Sequence, residues 1–162
     1  DAVISKLLVQ HVLDARPMLS RFEMPLLNRV YVDSDDELND LAGRAVDSLI
    51  NKGVEKMVGE EAVKEFGLAP KLYFGDIASG DQFINSVEKR DEILGQLPDV
   101  LCVEMEGAAV AQVCLEFNTP FTVIRTISDT ADHNARVDFG KFIVEVANAY
   151  SRAIIGEIVR ML

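Results

Sequence analysis

The sequence predicts an α/β fold, a central sheet covered by helices, carried by a single domain over residues 1–162. Three observations lead there. Strand-like and helix-like segments alternate through the second half of the chain. Several strand-like segments, such as 2–12 and 121–127, are apolar runs rich in β-branched residues. The 162 residues are 49% hydrophobic and 27% charged, the balance of a globular domain with a real core.

Each element has its own signal. Ala2 to Val12 is apolar and β-branched, and reads as a buried strand. Ala15 to Leu27 mixes Pro17, Pro25, Phe22 and charges, and reads as an irregular loop. Arg29 to Val32 alternates as a short strand. Ser34-Asp35-Asp36-Glu37 matches a capping box, with a hydroxyl at the N-cap and a carboxylate three residues later. Leu38, Leu41, Ala42, Ala45, Leu49 and Ile50 follow at helical spacing, and Gly53 ends the run. Glu60 to Phe66 is a short helix closed by Gly67. Lys71 to Ser79 is a strand, and Asn85 to Leu97 an exposed helix stopped by Pro98. Val100 to Val103 is a short buried strand. Glu106 to Phe117 is a helix whose Gly107, Ala108, Ala109 and Ala111 allow close packing. Phe121 to Ile127 is a buried strand and Ser128 to Arg136 a polar loop. From Phe139, apolar residues through Phe142, Val146, Tyr150, Ile154 and Ile158 mark a long amphipathic helix.

Charge and composition exclude several functions. A net charge of −11 repels phosphate backbones, so no nucleic-acid partner is expected. No apolar run approaches membrane-spanning length. Cys102 and Cys114 form no disulfide framework, which fits a reduced cytoplasmic setting. His11 and His133 are too few and too far apart in sequence to argue for a metal, and no cofactor is expected. The chain opens at Asp1 straight into a strand-like run with no initiator Met, so a preceding segment is expected in the whole protein.

In open α/β sheets ligands bind at the C-terminal ends of strands. Three such ends are polar: Ser79-Gly80-Asp81, Glu104-Met105-Glu106 and Ser128-Asp129. Asp129, partly desolvated at the end of a buried strand, is suited to donate a proton to a leaving-group nitrogen. A carboxylate beside Met105 can accept from a vicinal diol such as that of ribose. Phe83, just after a glycine turn, can stack on a flat base. Taken singly, each has a plainer reading: Asp129 caps a turn, the two glutamates enrich a helix N-terminus, and Phe83 is core.

Together these segments carry a resemblance. Val103-Glu-Met-Glu-Gly107, Val123-Ile-Arg-Thr-Ile-Ser-Asp-Thr-Ala-Asp132 and Ser79-Gly-Asp-Gln-Phe-Ile84 resemble, in order and spacing, the purine nucleosidase/phosphorylase superfamily. Within it they are similar to the methylthioadenosine/S-adenosylhomocysteine nucleosidases, from Lys71 to the C-terminus and again over Asp1 to Val12. The resemblance implies a mixed sheet of the nucleoside phosphorylase type. It implies hydrolysis of the N-glycosidic bond of 5′-methylthioadenosine and S-adenosylhomocysteine, releasing adenine. Such an enzyme belongs to nucleoside catabolism and methionine salvage, works as a cytoplasmic homodimer, and takes a small nucleoside as its partner. Carried over to this sequence, Asp129 is the general acid toward N7 of adenine and Ser128 holds its carboxyl. Phe83 stacks on the base and the Ile84 backbone reads its edge. Met105 packs under the ribose, Glu106 binds its hydroxyls, Arg125 joins the polar network around the attacking water, and Phe139 lines the 5′-alkylthio pocket.

The chain departs from the family in three places. The family's first third, with the Glu that orients the water, is not represented. Arg16 to Asn28 lacks the usual Gly/Tyr-rich stretch, and Lys56 to Pro70 is longer than usual and is expected as a surface excursion. The exposed apolar residues Met18, Leu19, Phe22, Met24, Leu26 and Leu27 are expected to need a cover, which a partner subunit would supply. Two alternatives stay open: a phosphorolytic purine nucleoside phosphorylase, and a nucleoside-binding protein of the same fold without catalysis.

Overall fold

The computed structural model describes residues 1–128 and 140–162. Its strands are β1 (Ala2–Gln10), β2 (Tyr31–Asp33), β3 (Leu72–Ser79), β4 (Val100–Glu104) and β5 (Ile124–Thr126). Its helices are α1 (Asp36–Lys52), α2 (Glu55–Val58), α3 (Glu60–Phe66), α4 (Val87–Gln96), α5 (Gly107–Glu116) and α6 (Asn148–Met161), the last preceded by a π-helical turn, Ile143–Ala147.

The sheet is mixed. β1 runs parallel to β3, and β3 parallel to β4. The other edge of β1 is shared: β5 pairs antiparallel with Ala2–Ile4, and β2 antiparallel with Leu7–Val9. Neighbouring side chains on β1 point to opposite faces. Val3 and Leu8 pack with Ala108 and Ala111 of α5. Ala2 packs with Val46 and Leu49 of α1 and Tyr150 and Ile154 of α6, and Val9 with Ile93 of α4. Helices therefore cover both faces, which is why the apolar stretches of β1 on either side of Ser5-Lys6, Ala2–Ile4 and Leu7–Val9, are continuous rather than alternating.

Several boundaries differ from the sequence expectation. β1 stops at Gln10, before Val12, and β2 begins at Tyr31 rather than Arg29. Arg29 instead bridges Met24 across the preceding loop. The strand expected over 121–127 is regular only from Ile124 to Thr126. Phe121 and Val123 spend their carbonyls singly, on the N–H groups of Asp35 and Ser5.

The cap of α1 shifts by one residue. Asp35, not Ser34, accepts from the N–H of Leu38, at 2.9 Å. Ser34 Oγ turns inward and donates toward the carbonyls of Ser5 (2.6 Å) and Lys6 (3.0 Å). Asn39 Nδ2 donates to the same Ser5 carbonyl at 2.9 Å, and Thr122 Oγ1 donates to Asn39 Oδ1 at 2.6 Å. The register of β1 on β3 slips between Ser5 and Leu8. The Ser5 carbonyl is buried there and needs donors, which outweighs the local capping preference of Ser34.

The 56–70 excursion is docked rather than detached. Ala62 is buried in a cluster with Phe142, Val146 and Ala147, and Phe66 meets Phe142 edge-to-face at 5.8 Å. The loop before β2 is also partly buried within the chain. Phe22 and Met24 are 8% and 1% exposed, so they need no partner subunit to cover them. Met18 and Leu26 remain 85% and 98% exposed.

The C-terminal segment repeats its apolar residues at 142, 146, 150 and 154, all buried. Steps of four overshoot a 3.6-residue turn. The wider π turn at Ile143–Ala147 takes up part of that drift and keeps the residues on one face.

Candidate active site

Glu104-Met105-Glu106 forms the junction between β4 and α5, and its two acids divide the work. Glu106 stands at the N-cap position of α5 but makes no capping hydrogen bond with its side chain. Glu104 does the capping instead. Both of its carboxylate oxygens accept from the N–H of Gly107 at 2.9 Å, and Oε2 also accepts from the N–H of Glu106 at 3.1 Å. The Ser79 hydroxyl donates to Oε1 of Glu104 and accepts from the N–H of Ala108 at 2.7 Å. The Glu104 side chain is 2% exposed and that of Glu106 is 65% exposed. The plainer reading of an acid at a helix N-terminus thus holds for Glu104 and leaves the carboxylate of Glu106 out of the cap.

Arg125 faces both acids. Its Nη1 lies 3.8 Å from Glu104 Oε2 and 3.5 Å from Glu106 Oε2. Burial and the charge of Glu104 push the neighbouring Cys102 thiol up to about 12, with Arg125 pulling weakly the other way. Cys102 is therefore a neutral packing residue rather than a nucleophile.

The segment that carries Phe83 follows β3. Gly80 is a place only glycine fits, because a Cβ there would meet the His11 ring nitrogen at 2.3 Å. His11 is 6% exposed, with its Nε2 lacking a hydrogen-bond partner among the described residues. Burial, then the charge of Lys89, lower its pKa against the opposing pull of Asp81 and Glu92. Ile84 is buried with Ala78, Ile93 and Val100, which anchors the loop, while Phe83 is 42% exposed.

Six of the eight candidate residues line one cavity of about 460 Å³: Phe83, Ile84, Met105, Glu106, Arg125 and Ser128. Asp129 and Phe139 lie outside the described residues. The route by which the six come together differs from the sequence argument, which relied on three strand ends pointing the same way. β5 is antiparallel to β1, so Thr126 lies level with Ala2, whereas Ser79 lies level with Gln10. The cavity joins them because it runs along the whole of β4, from Val100 to Glu104. A second cavity of about 490 Å³, lined by Phe66, Leu68, Phe142 and Tyr150, shares Thr126 to Ser128 with the first. Among the described residues no cluster of His, Cys, Asp or Glu is placed to hold a metal ion, and no helix is long and apolar enough to cross a membrane.

The sequence marks Glu104 only as part of one of three polar strand ends. Its partner was not visible either, because Ser79 and Glu104 are brought together only by the β3–β4 register. The available signal was that both polar residues close a buried apolar strand.

A mixed sheet with helices on both faces, and a cavity where acids, an arginine and an aromatic converge, fit an enzyme acting on a small polar molecule with a flat ring. Residues 1–160 match the Phosphorylase superfamily, and the chain belongs to that family. A 5′-methylthioadenosine/S-adenosylhomocysteine nucleosidase of Haemophilus influenzae (strain PittGG) is 46% identical over 87 residues, 54% of this chain and 38% of that protein. The solved structure of the nucleosidase of that name from Neisseria meningitidis, in complex with methylthio-immucillin-A, superposes with a TM-score of 0.79 at 31% identity, covering 100% of this chain and 62% of that one. Futalosine hydrolase of Helicobacter pylori strain 26695 superposes with a TM-score of 0.77 at 30% identity, covering 100% of this chain and 60% of that one. The chain spans about half the length of the curated relatives it matches.

Proposed function

We propose that the protein carrying this chain hydrolyses the N-glycosidic bond of 5′-methylthioadenosine and S-adenosylhomocysteine and releases adenine. The observation that carries this reading is the gathering of Phe83, Ile84, Met105, Glu106, Arg125 and Ser128 around one cavity. The names of the relatives support it. Water forms a bond to C1′ as the C1′–N9 bond breaks, its surplus proton passes to solvent, and the bonding pair leaves with the base. Asp129 delivers a proton to N7, so adenine departs neutral. Positioned acid catalysis of this kind is worth ~10²–10⁴-fold. Positive charge grows on the sugar in the transition state. Glu106 stabilises it electrostatically while accepting from the ribose hydroxyls. Phe83 stacks on the base, the Ile84 backbone reads its edge, Met105 packs under the ribose, Arg125 orders the polar side of the site, Ser128 steadies the acid, and Phe139 lines the 5′ pocket. A cytoplasmic homodimer is part of the same reading.

The test is adenine release from each thioether nucleoside in phosphate-free buffer, with futalosine assayed beside them. Turnover without phosphate is expected. Strict dependence on phosphate would replace hydrolysis by phosphorolysis, and binding without turnover would leave a nucleoside-binding protein.

A further inference from the structure

We propose that Glu104 is a positioning residue that holds Arg125 from behind and so keeps the Glu106 carboxylate available for the ribose hydroxyls. The proposal rests on the nucleosidase reading and extends it to a residue that makes no contact with substrate in that reading.

The argument begins with how firmly Glu104 is held. Its carboxylate accepts from the N–H groups of Glu106 and Gly107 and from the Ser79 hydroxyl, inside a 2% exposed pocket. Those donors come from the end of β3 and the start of α5, so the charge is fixed relative to both. Buried carboxylates are retained only when so satisfied. Glu106, two residues on, is 65% exposed and makes no side-chain capping bond. The guanidinium of Arg125 stands between them, 3.8 Å from one carboxylate and 3.5 Å from the other. Neither distance is a closed hydrogen bond. The two acids therefore share one cation, and each weakens its attraction to the other.

Removing the buried charge breaks that balance. With only Glu106 to neutralise it, Arg125 closes onto Glu106 in a direct bidentate pair. The oxygens needed for the sugar hydroxyls are then occupied. The adenine subsite, built on Phe83 and the Ile84 backbone, stands apart from this exchange and is left as it was.

Glu104→Gln keeps the size of the side chain and one acceptor for Gly107 while removing the charge. In the whole protein, KM for methylthioadenosine is expected to rise about tenfold or more. The inhibition constant of free adenine, which has no ribose, is expected to stay within about twofold. A merely structural role for Glu104 would weaken both together. An unchanged KM, or equal loss for the nucleoside and for adenine, overturns the proposal while leaving the nucleosidase reading intact. A wild-type protein that releases no adenine sinks that reading, and the positioning role with it. If Glu104→Gln does not fold, as judged by its thermal transition, Glu104→Asp is measured instead. It keeps a buried charge but withdraws it from Arg125, and the same split between KM and adenine inhibition is expected.

Discussion

Asp129 is the residue whose chemistry can be tested most directly. Asn is close to Asp in shape and can still donate a hydrogen bond toward N7, so the ground-state complex should survive the change. It cannot deliver a proton, so the base would have to leave as an anion. Asp129→Asn is therefore expected to lower kcat by about two to four decades with little change in nucleoside binding. Asn and Asp cap turns about equally well. Near-normal kcat for this variant would mean that Asp129 is a cap and not the acid. The same competition between local and distant demands is visible at Ser34 and Glu106. Both stand where a helix cap is expected, and in both cases another residue takes the cap: Asp35 for α1 and Glu104 for α5. Capping patterns in the sequence name the region correctly, but buried acceptors and donors elsewhere decide which residue serves.

Between elements, the clearest polar tie joins α1 to α6. Glu157 is buried on α6 and accepts from Ser48 Oγ at 2.8 Å and from Lys52, both on α1, and from Arg160 at 2.8 Å. These bonds, those from Lys52 and Ser48 foremost, hold its carboxyl down at about 2. A carboxylate whose pKa is depressed on folding stabilises the fold above its ordinary value, about 4.5, and loses that contribution as pH falls toward 2. Glu157→Gln is therefore expected to melt below the wild type at pH 7, with the gap in Tm shrinking between about pH 4.5 and pH 2. A gap that is constant over this range, measured by circular dichroism, would show that packing rather than charge carries the tie.

For the whole molecule, the exposed apolar surface bears on assembly. Val110 and Val113 on the outer face of α5 and Phe117 just past its C-terminal end are 53%, 56% and 76% exposed. Met24 and Leu27 pack in one cluster with Ala108, Ala111 and Leu115. The loop that carries the 98% exposed Leu26 thus lies against the same helix. A second copy of the protein covering this face would account for the exposure. The whole protein is expected to run as a dimer in light scattering at micromolar concentration, and a monomer there would remove the dimer from the reading.

The sequence alone determined the alternation of strands and helices, the capped start of α1 near residues 34–37, and the apolar face of the C-terminal helix. All of these rest on contacts a few residues apart, where periodicity and turn chemistry act directly. It also marked Ser79, Glu104 and Ser128 as polar ends of apolar runs. Only the tertiary structure decided that β5 runs antiparallel to β1, that Phe22 and Met24 are covered within the chain, and that Glu104 rather than Glu106 is the buried, fully bonded acid. Each of these depends on partners that are distant in sequence. Val3 meets Arg125, and Ser79 meets Glu104. The free energy of such pairings comes from burial and hydrogen-bond satisfaction after the sheet has closed, which no local pattern records.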